Sequence, residues 1–334
     1  MNFHTFRMAG INFGVESDVE IVPINHNFST VFATNNPDPD VIIRITGIER
    51  STLVLPLVTA GDLLSLSDII SPKYLYQDTL ALLPVIADDV SSHLRSPDIF
   101  SDDKLNIRLL QSPFIRSKIE FYLNQPDQKS LWMNYFCVVF QDFDTTTIEM
   151  YYLSALKMIF QESWFQTIDF RSMFARSLTN FSGTMVHSSA VVRNDRTAIF
   201  VASDGGGKTG VVEKVDSGSI LSDDQNFLKK EGNSFYVYGS PWGKYTKSNH
   251  STRLGAIFLL EKAPIFELAP LNPIDLFNFL WNEHWTTWIL LPKEIKLKLF
   301  NLLYDVCRQT PAYRMRFPKD DIDWLAIDSV LRGT

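Results

Sequence analysis

An α/β fold, α+β overall, is predicted by three observations. Short β-type runs separated by turn formers fill the first hundred residues. From about residue 103 the apolar spacing lengthens to a helical period. Past Gly183 the pattern becomes strand, tight turn, short helix and strand, followed by a helical tail. The chain therefore divides into an amino-terminal region, 1–182, β-rich and then helical, and a carboxyl-terminal region, 183–334. The weakest joint lies near residues 180–186, Asn-Phe-Ser-Gly-Thr-Met-Val.

Taken in order, residues 11–15, 19–24 and 41–48 are the first β-type runs, the last of them after the breaker Asn-Asn-Pro-Asp-Pro-Asp at 35–40. A small antiparallel sheet is expected there. Leu105, Ile107, Leu109 and Leu110, then Ile115, Ile119, Phe121 and Leu123, predict two helices broken at Pro113, and 148–160 reads as another helix, all packing scaffold. Asn272-Pro273 pairs a capping side chain with a first-turn proline and predicts a helix to Trp281. Pro292 opens an amphipathic helix through Ile295, Leu299, Leu302, Leu303 and Val306 that stops before Pro311.

Composition narrows the class of partner. The 334 residues carry 31 Lys+Arg against 38 Asp+Glu, and the first hundred hold 5 basic and 12 acidic side chains, so the whole deficit of 7 sits there. Residues 183–334 hold 18 basic and 17 acidic side chains, a neutral background that does not repel an anionic ligand. No strong basic stretch exists, which argues against nucleic acid as a partner. The acidic first hundred residues are where a basic partner surface is expected to dock. Cys137 and Cys307 lie in apolar surroundings without metal spacing and read as buried thiols of a reducing, cytoplasmic setting. No signal segment or membrane span is legible.

The chain is poor in glycine, with 15 in all, yet three are consecutive at Gly205, Gly206 and Gly207. They fall in Thr-Ala-Ile-Phe-Val-Ala-Ser-Asp-Gly-Gly-Gly-Lys-Thr-Gly-Val-Val (197–212): an apolar strand, a glycine loop, Lys208-Thr209, then a short helix. That is the order of a phosphate loop. Backbone N–H groups and a helix N-terminus surround a phosphate, the lysine reaches the outer phosphates and the hydroxyl binds Mg²⁺. Ser203, Asp204, Gly205, Gly206, Gly207, Lys208 and Thr209 are thus the candidate nucleotide-binding residues, Thr209 also a metal ligand. A glycine-rich hairpin with an exposed lysine is the plainer reading, and the flanking strand and helix weigh against it.

Fifteen residues past Lys208, Ser219-Ile220-Leu221-Ser222 leads into Asp223-Asp224. Alone, such a pair is a solvated turn. After a short strand at this spacing, parallel neighbouring strands would bring it to the sheet edge that carries the loop. One carboxylate could then hold Mg²⁺ while the other accepts a proton from an attacking hydroxyl. His187, in Met-Val-His-Ser-Ser-Ala-Val-Val (185–192), precedes the turn Arg193-Asn194-Asp195-Arg196 that leads into the loop strand.

Together these three features resemble the HPr kinase/phosphorylase and ATP-dependent phosphoenolpyruvate carboxykinase superfamily, and most of all its HPr-kinase-related members. Gly239-Ser240-Pro241-Trp242-Gly243, the strand-like 254–260, Met8-Ala9-Gly10-Ile11-Asn12-Phe13 and residues 39–44 add to the likeness, whose specific motifs span about 185–260. The resemblance implies a carboxykinase-like P-loop domain and the cofactors ATP and Mg²⁺. It implies Lys208 and the 205–209 amides on phosphate, Thr209 and Asp224 on Mg²⁺, Asp223 as general base, His187 near the transferred phosphoryl group, and Arg253 as a phosphate clamp, with Lys244 and Lys247 competing for that role.

Two departures matter. Asp204 stands where the family has Ser, and a carboxylate beside phosphate costs binding unless it points outward or meets a cation. Gly210 follows Thr209 and loosens the first helical turn. The expected activity is phosphorylation of a hydroxyl on a small molecule, a peptide serine or a carrier protein. A non-catalytic nucleotide-binding module that regulates a partner, and carboxykinase chemistry, are the alternatives. Trp281, Trp285 and Trp288 share one helical face with His284 between them, as core or subunit packing does. The acceptor and the oligomeric state, a homo-oligomer included, stay open.

Overall fold

Residues 2–18, 32–35, 38–48, 113–125, 128–133, 137–153, 168–215, 219–244, 248–283, 291–318 and 321–333 are described by a computed structural model. Strand expectation 19–24, helix expectation 105–110, and Lys247, His284, Trp285 and Trp288 lie outside them.

Two mixed sheets organise the chain, with few helices, so it is an α+β protein. The first has six strands: β1 (Asn2–Met8), β2 (Ile11–Ser17), β3 (Val41–Ile48), β4 (Lys129–Met133), β5 (Cys137–Asp142) and β6 (Thr147–Leu153), in the order β1-β2-β3-β6-β5-β4. The expected antiparallel sheet is corrected here. β1 and β2 form an antiparallel hairpin, but β2–β3 and β3–β6 are parallel. The long connection between β2 and β3 allows a crossover, which a two-residue turn does not.

The helix expected over 148–160 is also corrected, since its start is β6. Ile148, Met150 and Tyr152 are buried on alternate positions, a period of two. The preceding turn closes a hairpin with β5, its amides at Asp144 and Thr145 donating to Asp142 Oδ1. β-Branched and aromatic residues at 147, 148, 151 and 152 suit a strand flanked on both sides. Helix α1 (Pro113–Leu123) opens at Pro113 and buries Ile115 and Ile119 in the same core. Helix α2 (Ile168–Leu178) adds Met173, Phe174 and Leu178.

The second sheet has eight strands: β7 (Gly183–Arg193), β8 (Arg196–Val201), β9 (Ile220–Ser222), β10 (Gln225–Glu231), β11 (Ser234–Tyr238), β12 (Ser251–Lys262), β13 (Glu267–Pro270) and β14 (Ala312–Phe317). Its order is β11-β10-β7-β8-β12-β14-β13, with β9 also paired to β7. One face is covered by α4 (Pro273–Glu283) and α5 (Lys293–Gln309), which bury Leu276, Leu280, Ile295, Leu299, Leu303 and Val306. The other is covered by α3 (Lys208–Val212) and α6 (Trp324–Arg332). Asn272 Oδ1 accepts the Ile274 amide at 2.8 Å, the expected cap of α4. The apolar stripe expected after Pro292 is the buried face of α5.

The cores do not stop at residue 182. Phe227, Tyr238 and Trp242 of the second sheet and its loops join the core of the first, where Phe174 of α2 lies 4.5 Å from Phe13 and 6.0 Å from Trp242. This shared packing fixes α2 beside the end of the sheet that carries the glycine loop. Among the described residues no helix is long and apolar enough to cross a membrane.

Candidate functional site

Strand β8 is buried through Ala198, Ile199, Phe200 and Val201 and ends in the loop 202–207. Two glycines are demanded by shape. A Cβ on Gly206 would lie 2.4 Å from Ala202 Cβ, and the Gly206 amide donates to Ser203 O at 2.9 Å, closing a tight turn. Gly207 sits at φ 106°, a region that disfavours side chains, and its Cβ would meet the Phe317 ring at 3.0 Å. Gly210 has open space where a Cβ would be, and α3 runs only from Lys208 to Val212.

Lys208 folds back on its own loop. Its Nζ donates to Ala202 O at 2.6 Å and lies 3.4 Å from Ser203 O, with 7% of the residue exposed. Burial lowers its pKa against the pull of Asp204, Glu283 and Asp224. Ser189 Oγ of β7 donates to Lys208 O at 2.8 Å and ties the start of α3 to the sheet. Thr209 is exposed. Ser203 Oγ donates to Glu283 Oε1 at 3.1 Å, so the last residue of α4 reaches the loop. Asp204 is 95% exposed and points outward, with its Oδ1 3.9 Å from His187 Nδ1.

The carboxylate pair reaches the loop by a different route from the one expected. β8 and β9 are not neighbours; both run antiparallel to β7, on opposite sides of it. They share a direction through that middle strand, so the loop after Val201 and the pair after Ser222 still emerge at one end. His187 lies between them, opposite Gln225, with its neighbour Ser188 opposite Val201. His187 Nε2 is 3.4 Å from Asp224 Oδ1, and Arg171 Nη1 of α2 is 3.0 Å from Asp224 Oδ2. Burial opposes the charge on Asp224, but the His187 hydrogen bond and the Arg171 guanidinium outweigh it and hold the carboxyl below the usual range.

Asp223 is 5% exposed, and its Oδ1 accepts the Lys244 amide at 2.8 Å. Gly243, at φ 122°, would put a Cβ 2.4 Å from that oxygen, so the segment 239–243 wraps the carboxylate by lacking a side chain there. Ser222 Oγ donates to Trp242 O at 2.9 Å and holds the wrap in place.

The structure therefore brings together Ser203 to Thr209, His187, Asp223 and Asp224. Arg253 is not among them. It pairs with Arg196, while Leu259 pairs with Val201, which places Arg253 at the far end of β8, about 16 Å from the loop. No spacing in the sequence ties Arg171 or Glu283 to the loop, and the 239–243 segment enters there only as part of the resemblance. Its glycine at 243 was the legible signal.

The arrangement can hold an anion, and it suits a cation beside it. Asp204, Asp223, Asp224 and Glu283 outnumber Lys208 and Arg171, so any phosphate there would need a divalent ion beside it. Among the described residues no group of three or more His, Cys, Asp or Glu side chains is arranged as a metal cage. Mg²⁺ needs none, because it takes one or two carboxylates and completes its shell with phosphate oxygens and water. The glycine cradle, the buried lysine and the ionised Asp224 fit a magnesium–nucleotide pair. No family model matches the chain, and no curated protein matches it at a significant level.

Proposed function

We propose that the protein is an ATP/Mg²⁺-dependent phosphotransferase of HPr-kinase type, built on a carboxykinase-like P-loop domain and acting on a hydroxyl of a small molecule or of a serine in a peptide or carrier protein. The observation that carries this reading is the meeting of Lys208, His187, Asp223 and Asp224 at one end of a single sheet, beside a loop whose glycines the local shape demands.

Bound Mg-ATP would supply the phosphoryl group, and the chain's residues divide the remaining work. Lys208 would leave the Ala202 and Ser203 carbonyls to offset charge on the outer phosphates. Asp224, with Thr209, would hold the cation, because a carboxylate kept ionised by His187 and Arg171 suits that role. Asp223, the other carboxylate of the pair, would accept the proton of the acceptor hydroxyl. His187, between Asp224 and Asp204, orients the carboxylate and faces the transferred group.

The test compares phosphoryl transfer and ATP hydrolysis by the wild type, Lys208→Ala and Asp223→Asn. Both variants should fall by at least about a hundredfold, and equal rates in all three proteins sink the kinase reading. One observation favours a second reading, a nucleotide-binding module without turnover: Asp223 is enclosed by Gly243 and tied to the Lys244 amide. Magnesium–nucleotide binding with no product after long incubation selects it. Carboxykinase chemistry calls for a second anion pocket rich in arginine, and the arginine bonded to the carboxylate pair is Arg171, through Asp224. A cytoplasmic setting goes with the kinase reading.

A further inference from the structure

Helix α2 belongs to the half of the chain in which no catalytic signature is legible, yet it delivers a guanidinium to the carboxylates. Arg171 Nη1 lies 3.0 Å from Asp224 Oδ2, and the guanidinium carbon sits 5.4 Å from the centre of the Trp242 ring. That ring is a fixed platform. It packs against the Phe174 and Phe227 rings, at 6.0 and 5.9 Å between centroids, and the Trp242 carbonyl accepts from Ser222 and Ser240. Arg171 is thus supported by its face and held at one nitrogen. Its Nε is buried without a hydrogen-bond partner, an unfavourable state for a charged donor. The observed pose is therefore not the one that satisfies the group best.

The carboxylate it holds is the one best suited to a cation. Asp224 Oδ1 already faces His187, so Oδ2 is the oxygen a metal would contest with Arg171. Two cations cannot share one carboxylate oxygen at full strength. A displaced arginine has a ready second use, since its planar fork fits phosphate, and the Trp242 face lets it turn without leaving its support. Arg253, the arginine expected on phosphate, is at the other end of β8.

We propose that Arg171 is a placeholder cation that occupies Asp224 until a divalent ion binds, then yields Oδ2 and engages the terminal phosphate of the nucleotide. The proposal rests on the magnesium–nucleotide reading of the site and assigns a phosphate ligand to the amino-terminal half.

The experiment titrates the full chain with Mn²⁺ alone, following free ion by electron paramagnetic resonance, in the wild type, Arg171→Gln and Arg171→Lys. Removing a unit charge beside the ion should tighten Mn²⁺ about tenfold in Arg171→Gln, while Arg171→Lys stays within about twofold of the wild type. With Mn²⁺ present, the preference for ATP over ADP should fall about tenfold in Arg171→Gln. Arg171→Met carries the same expectations should the glutamine variant not fold, and near-ultraviolet circular dichroism checks both. Mn²⁺ affinity that is unchanged or weaker in the neutral variants makes Arg171 a structural partner of Asp224 and overturns the proposal alone. An unchanged preference for ATP removes the phosphate role. A wild type that binds neither Mn²⁺ nor nucleotide overturns the reading of the site itself.

Discussion

Replacing Gly206 by alanine probes the loop from inside. The added carbon would lie 2.4 Å from Ala202 Cβ and 2.9 Å from Ser203 O. Carbon atoms pack at about 3.5–4.0 Å, so the two ends of the loop must part by roughly an ångström. Neither obstacle is the tip of a flexible side chain. Ala202 also supplies the carbonyl that holds Lys208 Nζ at 2.6 Å, so moving it moves the lysine. Overpacking of this kind costs about 1–3 kcal/mol, or about fivefold to a hundredfold in an equilibrium constant. Calorimetry with Mg-ATP should show at least a roughly tenfold loss of affinity in Gly206→Ala, with a loss of stability to denaturant of that same order. Ala202→Gly removes the carbon–carbon clash but not the contact with Ser203 O. The double variant should therefore recover most of the loss, with a coupling of about 1 kcal/mol or more. Wild-type affinity and stability in Gly206→Ala, or no recovery in the double variant, refutes this account of the loop.

Two further predictions follow from the same geometry. Arg253→Ala should leave nucleotide affinity within about twofold of the wild type, because a charge about 16 Å away is screened beyond a Debye length; a tenfold loss measured by the same calorimetry returns Arg253 to the site. Arg193 clamps α6 to the β7–β8 hairpin through two contacts to Asp328, at 2.5 and 2.6 Å, and the Arg193 hydrogen bond is the main cause holding the Asp328 carboxyl below the usual range. A carboxyl depressed on folding adds stability that is present above its unfolded value near pH 4 and is lost as pH falls through the folded value. Asp328→Asn should therefore cost about 1 kcal/mol at pH 7 by urea denaturation, and the gap to the wild type should narrow as pH falls below about 4; a gap that widens on acidification contradicts it.

The carboxyl-terminal half was legible because its signals are local. The run from Thr197 to Val212 carries strand, glycine loop and lysine in one stretch, and the loop glycines at 206 and 207 answer contacts with Ala202 and Phe317. The cap at Asn272 and the stripe from Ile295 to Val306 are likewise set by neighbours in sequence. The errors came where partners distant in sequence decide. Residues 147–153 became a strand because β3 and β5 flank them, and the parallel β2–β3 pairing depends on a crossover. Asp223 and Asp224 reach the loop across β7 rather than on a strand next to β8. Arg171 was invisible for the same reason, lying 53 residues from the carboxylate it holds. Arg253 came from the resemblance alone, and the strand register places it at the end of β8 away from the loop.

The proposed function stands on binding of a magnesium–nucleotide by the loop after β8 through Lys208. Isothermal titration of the full chain with ATP in the presence of Mg²⁺ tests it most directly, comparing the wild type with Lys208→Ala. Saturable binding at one site is expected, weakened at least about thirtyfold in the variant by loss of a charge-assisted phosphate contact. No binding to the wild type, or equal binding by both proteins, contradicts it.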